Sequence, residues 1–314
     1  MIRYFINRIL VIALIVLCVI FILFALLYQL PGSHIRLMSM HGNGDSLDSI
    51  YAALNVRDCL FTKYLRYCYN TFFHLNVARS ITAGDRMLSL RILTTLIILV
   101  CGLSATLLIG VPLGIYTAMR KNKASDHVIN VILQLLSSLP SYIVAVIILL
   151  FFASYLKIIP VIIYPKTPLS FFMPALTITV GGASSVARMT KVNLLDVLDQ
   201  PFITALRAKG LRRKSVIYHH ALKNALIPIM SFLRGFCSQL LCGTLVVERF
   251  FSLPGVGSYM LNAVSTRNHI EILGCTVVMT VVLALMNIAT DVLYAFINPL
   301  IRLSHINRSG YSAV

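Results

Sequence analysis

Residues 204–228 read Thr-Ala-Leu-Arg-Ala-Lys-Gly-Leu-Arg-Arg-Lys-Ser-Val-Ile-Tyr-His-His-Ala-Leu-Lys-Asn-Ala-Leu-Ile-Pro, a polar and basic stretch between long apolar segments. From Gln200 to Lys209 the residues favour a short helix, and Gly210 stands where a helix C-terminal glycine belongs. Ser215 is expected to cap a second short helix through Ala225. Pro228 falls at the start of the next apolar segment, where its missing N–H costs little. The pattern predicts a helix–turn–helix knob carrying Arg207, Lys209, Arg212, Arg213 and Lys214. A basic loop between apolar segments can serve topology alone, but this spacing of helix breakers points to a docking surface.

The rest of the chain sets that knob in a membrane. Of 314 residues, 58% are hydrophobic and 12% charged, and the mean hydropathy is +0.87. Soluble domains carry roughly 25% charged residues, so lipid is the expected solvent. The net charge of +17 fits positive-inside topology and anionic headgroups better than nucleic acid. Seven cysteines are scattered without a CxxC or zinc-like spacing. Cys59 and Cys68 share a loop and can pair or stay free.

Arg3 and Arg8 precede an apolar run from Ile9 to Leu30, which is long for a signal peptide and lacks a cleavage site. It predicts a first transmembrane helix with a cytoplasmic N-terminus. Further apolar segments at about 92–119, 128–155, 171–194, 227–248 and 272–297 are each long enough to cross roughly 30 Å of hydrocarbon. Six spans place both termini in the cytoplasm. Pro112 and Pro140 are expected to kink their segments, and Gly181-Gly182 interrupts the fourth. The resulting division is 1–30 (N-terminal segment and first span), 31–90 (external loop) and 91–314 (a core of five spans with the basic loop at about 200–228). Arg188 and Lys191 count among the cytoplasmic charges. Residues 60–75 are rich in Tyr and Phe, which suits either a helix at headgroup level or a small external subdomain.

The loop resembles the EAA motif of ATP-binding-cassette (ABC) permeases, EAA-x3-G-x9-I-x-L-P. Thr204-Ala205-Leu206 stand at Glu-Ala-Ala, Gly210 is in register, and Leu226-Ile227-Pro228 stand at the end. Ala187-Arg188-Met189-Thr190-Lys191, Arg207-Ala208-Lys209-Gly210-Leu211 and His220–Pro228 are similar to the dipeptide, oligopeptide and nickel branch. Val247-Glu248-Arg249-Phe250-Phe251-Ser252-Leu253-Pro254-Gly255-Val256-Gly257 resembles that branch's V-E-x-x-F-x-x-P-G-x-G signature. Asp291 to Pro299 resembles its C-terminal ending, with Asn298 where Asp is usual. Thr204 departs from the usual Glu, and Leu75-Asn76-Val77 from the usual D-L-G turn.

The resemblance implies an all-α integral membrane protein with six transmembrane helices, a type I ABC importer permease with short cytoplasmic coupling helices. It implies a subunit, multi-pass in the cytoplasmic (inner) membrane, that imports di- or oligopeptides by alternating access. Nickel or a metal chelate is the alternative cargo. Implied partners are a homologous permease in a heterodimer, two cytoplasmic ATPase subunits, an extracytoplasmic substrate-binding protein and membrane lipid, with no nucleic acid. ATP and Mg would sit on the ATPases; this chain has no G-x-x-x-x-G-K-[ST], needs no cofactor or metal of its own, and is not expected to be an enzyme. Thr204, Ala205, Leu206, Ala208, Lys209, Gly210, Leu211 and Pro228 would form the ATPase-coupling element, with Ala205 and Ala208 at the contact. Gly210→Asp is expected to abolish ATPase association while the protein stays in the membrane.

Polar residues in the spans (Asn130, Gln134, Ser137, Ser138, Ser184, Ser185, Asn287), with Pro140, are candidates for the translocation path, or else hydrogen-bond between helices. Asp291 is expected to pair with a basic residue. Glu248, Pro254, Gly255 and Gly257 are candidates for the outer mouth. An ATP-independent transporter or channel would need paired membrane charges, which are scarce. A membrane enzyme would need a catalytic constellation, and none of the common motifs is present.

Overall fold

A computed structural model describes residues 2–29, 60–72, 85–157 and 168–297. These residues contain helices and connecting turns and no strand. In order they are α1 (Ile2–Gln29), α2 (Leu60–Phe72), α3 (Asp85–Met119), α4 (Ala124–Ser138), α5 (Ser141–Leu149), α6 (Phe172–Leu198), α7 (Pro201–Ala208), α8 (Leu222–Phe250), α9 (Val256–Ser265) and α10 (His269–Ile297). A π-helical turn, Leu150–Tyr155, extends α5; one α-helical turn, Arg213–Ser215, and a π-helical turn, Val216–Ala221, lead into α8. Most of the 31–90 segment, Cys59, the Leu75–Val77 stretch and the chain from Asn298 onward lie outside the described residues.

Among the described residues, three helices are long and apolar enough to span a membrane: Leu10–Leu27, Ser89–Met119 and Glu271–Val292. Two bent pairs can each make one more, Ala124–Ser138 with Ser141–Tyr155 (103°) and Arg213–Leu233 with Gly235–Phe250 (46°). The fourth expected span, α6, is long enough at 27 residues but falls short on apolarity. It buries Met173, Ile178, Ala183, Val186, Ala187 and Leu194 together with Thr177, Thr179, Ser184 and Thr190. A helix that faces other helices has no lipid to satisfy, so hydroxyl residues are tolerated if their O–H groups are bonded. Here Thr177, Thr179 and Ser184 donate to Met173 O, Ala175 O and Val180 O, at 2.9, 2.7 and 2.9 Å.

The two prolines act differently. α3 runs through Pro112 as part of one unbroken span. At Pro140 the chain breaks: Leu139 and Pro140 are extended (ψ 128° and 144°), as the residue before a proline prefers.

The chain divides into two compact units, Met1–Thr95 with Leu253–Ala284, and Leu96–Ser252 with Leu285–Val314. In the first, Val16, Ile20, Phe24 and Leu27 of α1 share a core with Tyr64, Ala263, Ile272, Leu273 and Val277. The Tyr64 hydroxyl donates to Leu17 O at 2.9 Å, and its ring meets Phe21 edge-on at 5.0 Å. Leu17 lies within the apolar stretch of α1, so α2 is seated on the first span rather than standing apart from it. Cys68 is a free thiol packed against this core.

In the second unit, α6 packs against α4, α5 and α8, and its approach to α3 depends on glycine. A Cβ on Gly110 would lie 2.9 Å from Ala183 O, and one on Gly114 would lie 2.5 Å from Ala187 O and Thr190 Cβ. One turn apart, these two glycines let the backbones meet as small-xxx-small interfaces do.

Candidate functional site

α7 begins at Pro201, the N1 position where a missing N–H is harmless. It is rooted by Ile203, fully buried among Ile115, Ala118, Leu194, Val216, Ile217 and Ala221, with Leu206 packed alongside. At 3.6 residues per turn, Ala205 and Ala208 lie on the face opposite Ile203. Both are exposed, as are Thr204, Lys209, Gly210 and Leu211.

The end of α7 is a Schellman cap. Gly210 is left-handed (φ 79°); its N–H donates to Arg207 O at 3.0 Å, and Leu211 N–H donates to Leu206 O at 3.4 Å. The helix, the glycine stop and the exposed alanine face thus coincide with the register expected from the residues.

The segment beyond differs from expectation. Ser215 does not cap a second short helix. Arg212 is the extended residue before the helical turn (ψ 138°), and helix continues through the π-turn into α8. Pro228 lies inside α8, half-buried, rather than at the start of a helix. The π-turn buries Val216, Ile217 and Ala221 against Ile203, and this packing outweighs the break that the polar residues suggested. His219 and His220 lie on the same turn, and no metal-holding group of His, Cys, Asp or Glu occurs among the described residues.

Next to this knob the structure shows a polar cluster that the sequence reading passed over. Lys191 Nζ donates to Asp126 Oδ1 at 2.6 Å, with the two side chains 18% and 4% exposed. Asn130 Nδ2 donates to the same oxygen at 2.6 Å, and Asn122 N–H donates to Oδ2 at 3.2 Å. Asn122 has φ 65°, a conformation asparagine tolerates better than most residues. The cluster ties the α3–α4 turn to α6. Asn130 is therefore occupied by Asp126. No periodicity pairs residues 65 positions apart, so this ion pair left no trace in the sequence pattern.

The remaining candidates are dispersed. Gln134, Ser138 and Pro140 are exposed and Ser137 half-buried; Ser137 accepts from Arg188 Nη2 at 2.8 Å. Ser184 is 1% exposed and sits in packing rather than on a surface, because its hydroxyl bonds within α6. Ser185 returns its hydroxyl to Gly181 O at 3.3 Å. The Asn287 Oδ1 is buried without a hydrogen-bond partner among the described residues. Asp291 is 8% exposed. Glu248, expected at a mouth, is fully buried in the last turn of α8. Gly255 and Gly257 are buried and Pro254 is exposed; Val256 N–H between the two glycines donates to Thr95 Oγ1 at 3.0 Å.

Known proteins share this chain's sequence over most of its length. Residues 110–303 match the family described as binding-protein-dependent transport system inner membrane component. The chain is 28% identical to the dipeptide transport system permease protein DppB of Bacillus subtilis, over 96% of this chain and 99% of that one. It is 28% identical to the glutathione transport system permease protein GsiC of Pectobacterium atrosepticum, with the same coverage of 96% and 99%. It is also 28% identical to a nickel import system permease protein NikB of Staphylococcus aureus, over 89% of this chain and 86% of that one. The matched residues take in Gly110, Gly114 and α6, the capped knob and the long helix after it, and the chain belongs to the binding-protein-dependent transport system inner membrane component family.

Proposed function

We propose that this chain is the permease subunit of an ATP-driven importer of peptides, with α7 as the element that couples it to an ATPase. The observation that carries the proposal is the form of α7. A short helix that shows two alanines one turn apart outward, is rooted by Ile203 and is stopped by a glycine cap can enter a groove and transmit a push without bending. Small side chains permit close approach, and the Asp126–Lys191 cluster braces the neighbouring turn.

On this reading α7, the α3–α4 turn and both termini are cytoplasmic. ATP-driven closure of two ATPase subunits moves α7, and packed helices switch between two arrangements to give alternating access. A second permease completes the path, and an extracytoplasmic binding protein delivers cargo. Dipeptide and glutathione relatives support a peptide cargo; the nickel relatives support a chelated metal as the second reading.

Proteoliposomes containing the assembled complex test this. Uptake of the binding protein's ligand should require ATP and both ATPase subunits, and uptake that persists without them would overturn the proposal. Mass spectrometry of the ligand released from the purified binding protein decides between peptide and metal.

A further inference from the structure

We infer that Arg188 reads the terminal carboxylate of a transported peptide from inside the helix bundle; this rests on the peptide-importer reading above. Arg188 and Lys191 stand one turn apart on α6, yet their surroundings differ. Lys191 is neutralised by Asp126. Arg188 is exposed, and among the described residues its hydrogen-bond partner is Ser137 Oγ alone. A guanidinium offers five N–H donors in a planar fork, so most of this fork faces open space with no carboxylate on it.

Sequence order counted Arg188 with the cytoplasmic charges, but its position along α6 separates it from the loop cations. Its partner Ser137 is near the far end of α4 (Ala124–Ser138), and Arg188 itself is well before the end of α6 (Phe172–Leu198). At about 1.5 Å per residue, both helices put the guanidinium roughly 15–20 Å inward from the end that carries α7. An ATPase docked on α7 does not reach it. An ionisable group within a membrane span faces a bundle interior or a water-filled cavity and marks a substrate path.

Gln134 and Ser138 are exposed beside Ser137 and add hydrogen-bonding groups for a peptide backbone. The fork geometry suits a carboxylate, which it can hold by two parallel N–H···O bonds. Every peptide with a free C-terminus carries that group, whatever its side chains, so one arginine at this position serves a broad peptide range.

The test is uptake by the reconstituted complex of a tripeptide with a free C-terminus and of the same tripeptide as its C-terminal amide, for wild type and Arg188→Gln. The binding protein's own preference is common to both and cancels in the comparison. Arg188→Gln should lower free-acid uptake about tenfold and leave amide uptake within about twofold, with ATPase co-purification unchanged. Equal loss of both peptides would overturn the proposal and make Arg188 a prop for the elbow at Pro140, and so would no change in either. Should Arg188→Gln fail to assemble, Arg188→Lys keeps the charge, lacks the fork and carries the same comparison. A wild-type complex that imports neither peptide would overturn the peptide reading and this proposal with it.

Discussion

Gly210 offers a test in which strain can be separated from clash. Its φ is 79°, and a Cβ added there meets nothing within 4 Å. Substitution therefore brings no steric overlap, only the penalty of a left-handed residue, roughly 1–2 kcal/mol for alanine. That penalty falls on the capped state, in which the Gly210 and Leu211 N–H groups are bonded to α7 carbonyls. If the capped state is the one the ATPase binds, affinity drops by the lost population, by at most about 5- to 30-fold. Asparagine tolerates the left-handed region and should stay near wild type. Aspartate tolerates it too but places a negative charge at a helix C-terminus, an added penalty of roughly 0.3–1 kcal/mol. The open space around Gly210 thus turns an expected outright loss for Gly210→Asp into a graded one, in the order Gly, Asn, Asp, Ala. The assay is titration of purified ATPase subunits onto the chain in detergent, with membrane levels checked by immunoblot. Ala binding as tightly as Gly, or Asn no better than Ala, would refute the reasoning.

Other perturbations give sharper steric or electrostatic contrasts. Ile203→Ala empties the anchor of α7 and should destabilise that packing by about 2–5 kcal/mol; membrane insertion should survive while ATP-driven uptake falls, measured in the same proteoliposomes. Asp126→Ala strands a Lys191 that is only 18% exposed and should cost about 3–5 kcal/mol. Thermal unfolding should show that drop, and the double variant Asp126→Leu, Lys191→Met should recover most of it. Gly114→Val adds bulk where a Cβ already overlaps Ala187 O at 2.5 Å and should abolish the folded yield. Gly181→Ala, with nothing within 4 Å, should be neutral or stabilise α6 by up to about 1 kcal/mol. Equal yields of those two variants would contradict the close α3–α6 approach.

Much of the site was legible because it is local. Pro201, the alanines at 205 and 208 and Gly210 act within one helix and its cap, where spacing along the chain equals spacing in space. The apolar runs of α1, α3 and α10 were legible for the same reason, since lipid contact demands continuous apolarity. The second half of the knob was not. Whether Ser215 caps a helix or lies inside one depends on what Val216, Ile217 and Ala221 touch, and they touch Ile203.

By itself the sequence determined that the chain lives in lipid, that it breaks at 200–212 into a capped helix, and which family it resembles. These follow from composition and from interactions between near neighbours. Only the tertiary structure decided that Asp126 neutralises Lys191 and leaves Arg188 open. It also decided that Gly110 and Gly114 seat α3 on α6, and that Glu248 and Ser184 are buried rather than displayed. Each of these is a contact between residues far apart in the chain. Its partner is chosen by how whole helices pack, and no local pattern records that choice.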